Sequence, residues 1–189
     1  GKDATRTGVL RNYGHRPALF LFYKKNRRKL KKEGRSLSKN LDGKLVSNAG
    51  VVVPLLGNEN SAEMLAEMAS AINPRDSVQV VNITEVPNQT FLDALNQDTP
   101  KVVSIARRLK KLSSSLNLNI DFESVVTHEV SNTVAQLSGQ TNCDWLVMGW
   151  NGKAHSGLLI RNPIGWLLTH VNSNFALFKD SGIKNIAGY

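Results

Sequence analysis

The chain has one cysteine, six prolines and only 6% aromatic residues in 189 positions, and each shortage excludes something. With Cys143 alone, no intrachain disulfide can form and no multi-cysteine zinc site can be built; a reducing compartment is the natural setting. That thiol stands just before an apolar strand, which predicts an inert, largely buried side chain. Apolar runs are short too. The longest one ahead of the basic cluster, 18–23, falls far below the ~20 residues that a transmembrane helix needs. Charge follows that run instead of preceding it, so there is no signal-peptide pattern. The histidines His15, His128, His155 and His170 are scattered, with no His/Asp/Glu cluster at metal-ligand spacing. Ser156-Gly157 lacks a nucleophile elbow, and no carboxylate pair stands out in a loop. Neither an enzyme nor a metal site is predicted. The chain opens on Gly1 rather than Met, as an excised piece of something longer would.

Charge is present but lopsided. Residues 1–48 carry 14 Lys/Arg against 3 Asp/Glu, whereas 49–189 carry 10 against 12. The pattern is that of a near-neutral folded domain with a basic arm. Three segments are expected: an arm or linker over 1–48, a domain over 49–180, and a tail over 181–189.

From position 50 the apolar pattern becomes regular. "VVVPLL" (51–56) is a continuous run suited to a strand buried on both faces. Ser61 is placed to cap a helix carrying Met64, Leu65, Met68, Ala69 and Ile72, with Glu63 and Glu67 in its early turns. Asn73-Pro74 stops that helix. A second strand spans 77–84. After an irregular connection, Pro100 suits the first position of a helix whose apolar face is Val102, Ile105, Ala106, Leu109, Leu112 and Leu116. A third strand spans 119–126. Val130, Val134 and Leu137 mark a short helix, 145–148 a fourth strand, 164–171 a helix and 175–179 a fifth strand. Strands alternating with helices predict an α/β fold, a parallel sheet covered on both faces. Ligands in such sheets bind at the carboxyl ends of the strands, near the point where strand order reverses. Val51, Val53, Val80, Val81, Leu146, Val147 and Met148 are the expected core.

"VVVPLLGNENSAEML", the short helix before "CDWLVMGWNG", and "IGWLLTHVNSNFALFK" resemble the universal stress protein family over about 51–179. The resemblance implies an open five-stranded parallel sheet in the order 3-2-1-4-5, of the adenine nucleotide alpha hydrolase-like type. Nucleotide-binding members of that family share a G-x2-G-x9-G-[S/T] loop for phosphates and an Asp soon after the first strand's Pro for the ribose. Here Gly149 and Gly152 keep the spacing, but Gly165 follows after 12 residues instead of 9. Trp166 stands where the hydroxyl belongs, and Leu56 where the Asp belongs. Phosphate capture needs small residues and free N–H donors at a helix start. The expected site is therefore degenerate, its glycines serving turn geometry, with no cofactor. In the alternative, Lys153, His155, Ser156 or Arg161 rebuild an anion site and ATP binds. The candidate nucleotide residues are Gly149, Asn151, Gly152, Lys153, Ser156, Arg161 and Gly165.

Two motifs resemble one branch of that family more closely. "ITEVPNQTFL" is similar to the long loop, and "MGWNGK" to the glycine loop, of the stress-protein-like domains at the cytoplasmic C-termini of amino acid–polyamine–organocation superfamily transporters, amino-acid permeases and cation–chloride cotransporters among them. The arm "LFLFYKKNRRKLKKEG" resembles the inner end of a last transmembrane helix, aromatic residues first and charge after. Positive-inside charge and anionic lipid suit that order. The tail "DSGIKNIAGY" resembles the lead-in to a second such domain. Lys24, Lys25, Arg27, Arg28, Lys29, Lys31 and Lys32 would then face an anionic membrane surface. Solvated surface and nucleic-acid contact are the rival readings; no DNA or RNA fold motif accompanies the run. The resemblance also implies a homodimer through the fifth strand, with Phe175 and Leu177 at the shared edge, or burial of that edge by a neighbouring domain. The function expected is a non-catalytic regulatory or interaction domain of a transporter whose membrane domain lies in the same polypeptide, at the cytoplasmic face of the cell membrane. The alternatives are a free-standing cytoplasmic stress protein binding ATP or another nucleotide, and a weak nucleic-acid binder acting through the arm.

Overall fold

The computed structural model describes residues 5–9, 19–23, 49–57, 59, 61–90, 99–150 and 163–179. Through them the chain runs β1 (Thr5–Val9), β2 (Leu19–Tyr23), β3 (Val51–Leu55), α1 (Ala62–Ile72), β4 (Val78–Glu85), α2 (Pro100–Leu116), β5 (Ile120–Thr127), α3 (Val130–Thr141), β6 (Trp145–Trp150), α4 (Pro163–His170) and β7 (Asn174–Lys179). The five strands from β3 onward are parallel to one another in the spatial order β5-β4-β3-β6-β7. Counted from β3, that is the expected order 3-2-1-4-5.

The apolar run of β3 is continuous because both of its faces are covered. Val51 and Val53 join Met64, Leu65, Ile105 and Leu109 beneath α1 and α2. Val52 turns the other way, to Val134, Leu137, Leu146 and Leu167 beneath α3 and α4. All seven expected core residues are buried. Helix ends are set locally. Ser61 accepts from the Met64 N–H at 3.1 Å to start α1, and Thr99 accepts from Val102 at 3.3 Å, with Pro100 just inside α2. Asn117 and Asn142 end α2 and α3 in the left-handed conformation, at φ 51° and 48°, which Asn tolerates better than most residues. Cys143 is buried as expected, its Sγ 3.2 Å from Ser173 Oγ.

The arm is where expectation and structure part. Thr5–Val9 and Leu19–Tyr23, read from sequence as arm and as the end of a membrane helix, are strands. β2 lies antiparallel on β7, and β1 antiparallel on β2, so the whole sheet has seven strands. "LFLFY" is rich in aromatics, which favour strands, and an open edge at β7 offers it a row of unpaired backbone groups. The edge expected to receive a second copy is therefore occupied by the chain's own β2, and the outermost strand is β1. Phe175 is fully buried and Leu177 half-buried. No helix among the described residues is long and apolar enough to cross a membrane. The basic run 24–32 and the tail 181–189 lie outside the described residues.

Candidate functional site

Strand order reverses between β3 and β6, and the ladder between them is incomplete. They pair only as Val51 with Trp145 and Val52 with Leu146. By contrast β4 pairs with β3 along all of β3, and β7 with β6 along all of β6. Pro54 lies in the stretch of β3 without a β6 partner, where its missing N–H costs that ladder nothing. The two strands thus part toward their carboxyl ends, which opens the crevice expected at a reversal point.

A carboxylate of the same chain fills the mouth of that crevice. Glu59 accepts from the backbone N–H of Leu56 at 2.5 Å and from that of Gly57 at 2.8 Å. Gly57 takes φ +92°, a left-handed turn that glycine adopts freely and that helps bring the two amides onto one carboxylate. The Glu59 stem lies over β6. A β-carbon on Gly149 would meet Glu59 Cγ at 3.0 Å and Leu65 Cδ1 at 3.2 Å. Gly149 therefore provides close approach, but to the chain's own side chains.

The remaining predicted residues are redistributed. Gly149 lies within β6 and Gly165 within α4, so both belong to regular elements rather than to a loop. Around Gly165 an added β-carbon would meet nothing within 4 Å. Asn151, Gly152, Lys153, His155, Ser156 and Arg161 lie outside the described residues. Trp166 lies within α4. Its exposed ring folds along the helix onto His170, with centroids 4.0 Å apart and planes 7° from parallel. Leu167, not Trp166, is the residue α4 sends into the core. Leu56 packs its side chain against that same cluster and offers only its backbone N–H to the crevice. His128 approaches the Val86 carbonyl at 3.2 Å. Among the described residues no three His, Cys, Asp or Glu side chains are grouped to hold a metal ion.

Sequence reasoning missed Glu59, taking "GNENS" as an ordinary turn. Its only sequence signal was an acidic residue two places after a glycine, too common to single out. It also missed a pocket of about 160 Å³ beside the crevice, lined by the end of β3, Asn82 of β4 and the first turns of α2. Arg108 on that helix reaches Glu63 of α1 at 3.1 Å, with half of its side chain exposed. An ion pair so exposed is worth at most about 1 kcal/mol.

No protein-family model and no curated protein matches the chain in sequence. Solved structures do match in shape. A universal stress protein from Archaeoglobus fulgidus in complex with dAMP superposes with a TM-score of 0.51 at 11% identity, over 69% of this chain and 98% of that one. A universal stress protein in complex with cAMP superposes with a TM-score of 0.50 at 14% identity, over 71% and 100%. With the strand order, the helices on both faces and the parted central strands, these likenesses show that the chain has the universal stress protein fold.

Proposed function

We propose that this chain is a non-catalytic regulatory domain on a stress-protein fold, one whose nucleotide crevice is closed by its own Glu59. The two similar structures carry dAMP and cAMP, so the parent fold is suited to adenine nucleotides. The observation that carries the reading is the capping of the Leu56 and Gly57 amides by Glu59. Backbone donors at the end of the first parallel strand are what an entering phosphate or ribose would need, and here an internal anion already holds them. Hydrogen bonds to a charged group contribute about 1.5–3 kcal/mol each. Displacing both would move a micromolar ligand to roughly the millimolar range, and a phosphate would also meet the Glu59 charge. Leu56 adds the absence of a side-chain acceptor for a ribose hydroxyl.

The domain acts, in this reading, by contact with a transporter membrane domain in the same polypeptide, at the cytoplasmic face of the membrane. Support comes from the resemblance of "MGWNGK" and "ITEVPNQTFL" to that branch and from the basic run that begins directly after β2. A membrane helix ending at Tyr23 is no part of this reading, because Leu19–Tyr23 is a strand.

Isothermal titration of the chain with ATP, dAMP and cAMP tests the closed crevice. Binding weaker than about 1 mM, or none, is expected; a dissociation constant of about 10 μM or tighter would overturn it. Reading the gene upstream of Gly1 tests the transporter link. A frame that stops without apolar spans of about 20 residues would end it.

A further inference from the structure

Charge is unevenly shared among the helices. α2 carries Lys101, Arg107, Arg108, Lys110 and Lys111 and no Asp or Glu. Those are five of the six Lys and Arg described between 49 and 178, Arg75 being the sixth. The other described residues of that range hold nine Asp and Glu. α1, beside α2, adds Glu63 and Glu67, so the two helices together carry +3, five basic residues less two acidic ones. α3 and α4, on the other face of the sheet, carry no Lys, Arg, Asp or Glu. The described positive charge is thus concentrated on one side of the domain, separate in sequence from the run 24–32.

Within α2 the charges divide again. The helical period sends Val102, Ile105 and Leu109 into the core. Lys101 lies beside the Gly57 turn, and Arg108 pairs with Glu63 at 3.1 Å. Arg107, Lys110 and Lys111 are left on the outer side, all exposed and with no ion pair among the described residues. Val103, 43% exposed, and Ser114 stand with them. α2 packs inward on α1 and β5, and its 17 residues make a rod about 25 Å long. Three such cations along one side of a straight rod suit a charged plane, because they converge on no single point. No aromatic or amide side chain lies on α2 to read bases. We propose that the outer face of α2 docks on an anionic lipid bilayer, with the α3–α4 face turned away. Attraction of this kind acts over a Debye length of about 8 Å and falls with salt. It needs neither the closed crevice nor the run 24–32.

The test uses the whole chain and vesicles of phosphatidylcholine with and without phosphatidylserine. Each basic residue near such a surface adds roughly fivefold to affinity. Arg107→Gln, Lys110→Gln and Lys111→Gln combined, all at exposed positions, should weaken flotation with the anionic vesicles by about tenfold or more. A second measurement places the contact. Cys143 is buried, so Ser114→Cys on α2 and Asn172→Cys just after α4, both exposed sites, can each be labelled with a polarity-sensitive dye. Anionic vesicles should shift the emission at position 114 and leave position 172 unchanged. The inference is overturned if the triple variant floats as well as the unaltered chain, or if position 172 responds as strongly as position 114. It is also overturned if polyglutamate or single-stranded RNA binds the chain more tightly than anionic vesicles do, with loss in the triple variant. Binding through the run 24–32 alone would leave the triple variant unaffected, and nucleotide affinity bears on none of these results.

Discussion

Glu59 closes over Gly149, its Cγ 3.0 Å from where a β-carbon on that glycine would stand. The contact joins the end of β3 to the end of β6 across the gap where their ladder is missing. Removing the Glu59 side chain should therefore do two things. Glu59→Ala frees two amides that water can reach, so it should cost only about 1 kcal/mol in urea denaturation. It should also tighten ATP or cAMP binding by about tenfold or more in titration calorimetry. Unchanged nucleotide affinity would show that the carboxylate is not what closes the crevice.

Two glycines should respond to alanine in opposite directions. At Gly50 a β-carbon would lie 2.2 Å from Asp76 Cβ, and Gly50 O also accepts from the Asp144 and Trp145 amides at 3.0 and 3.2 Å. The turn cannot move without disturbing three strands, so Gly50→Ala should destabilise by about 3 kcal/mol or more. Gly139 lies in α3 with nothing within 4 Å of an added β-carbon. Gly139→Ala should stabilise by about 0.5–1 kcal/mol. Thermal melts of the pair read both signs, and a stabilised Gly50→Ala would refute the close approach.

Ser138, Cys143 and Ser173 form a buried polar knot under α3 and α4. Ser173 Oγ lies 2.6 Å from Ser138 Oγ and donates to the Cys143 carbonyl at 2.9 Å. Ser173→Ala would strand both partners in the core, at a cost of about 1–3 kcal/mol. The same enclosure should keep Cys143 unreactive toward a thiol reagent in buffer and release it only in denaturant. Rapid modification of the folded chain would contradict the burial.

The basic run should bind anionic vesicles and ignore neutral ones, at about 1 kcal/mol for each Lys or Arg near the surface, weakening with salt. Replacing Lys24, Lys25, Arg27 and Arg28 by Gln should remove most of the binding in a flotation assay. Equal binding to neutral vesicles would defeat the electrostatic account.

What could be read in advance was what is local in sequence. Ser61 and Pro100 announce helix starts through their own side chains, and "VVVPLL" announces a doubly covered strand by composition alone. The partition of its valines between two faces then follows from the period of a strand. Residues whose role is set by partners distant in the chain were not legible. Leu19–Tyr23 is a five-residue apolar stretch whose strand identity comes from β7. The ring of Trp166 could not be placed in advance because position in a motif says nothing about rotamer; it stacks on His170, one turn on. Glu59 looked like turn filler because its partners are main-chain amides, which carry no sequence signature.

The register of β2 on β7, Leu19 opposite Lys179 through Tyr23 opposite Phe175, bears on the order of assembly. β2 finds its place only beside β7, across a closure of about 150 residues whose entropy no local contact offsets. The five parallel strands can be complete while the amino-terminal pair is still searching, so that pair docks last and comes away first. Each such release bares the β7 ladder to any passing strand. A chain from which β1 and β2 are removed would carry that bare ladder permanently and should be prone to sticking edge to edge.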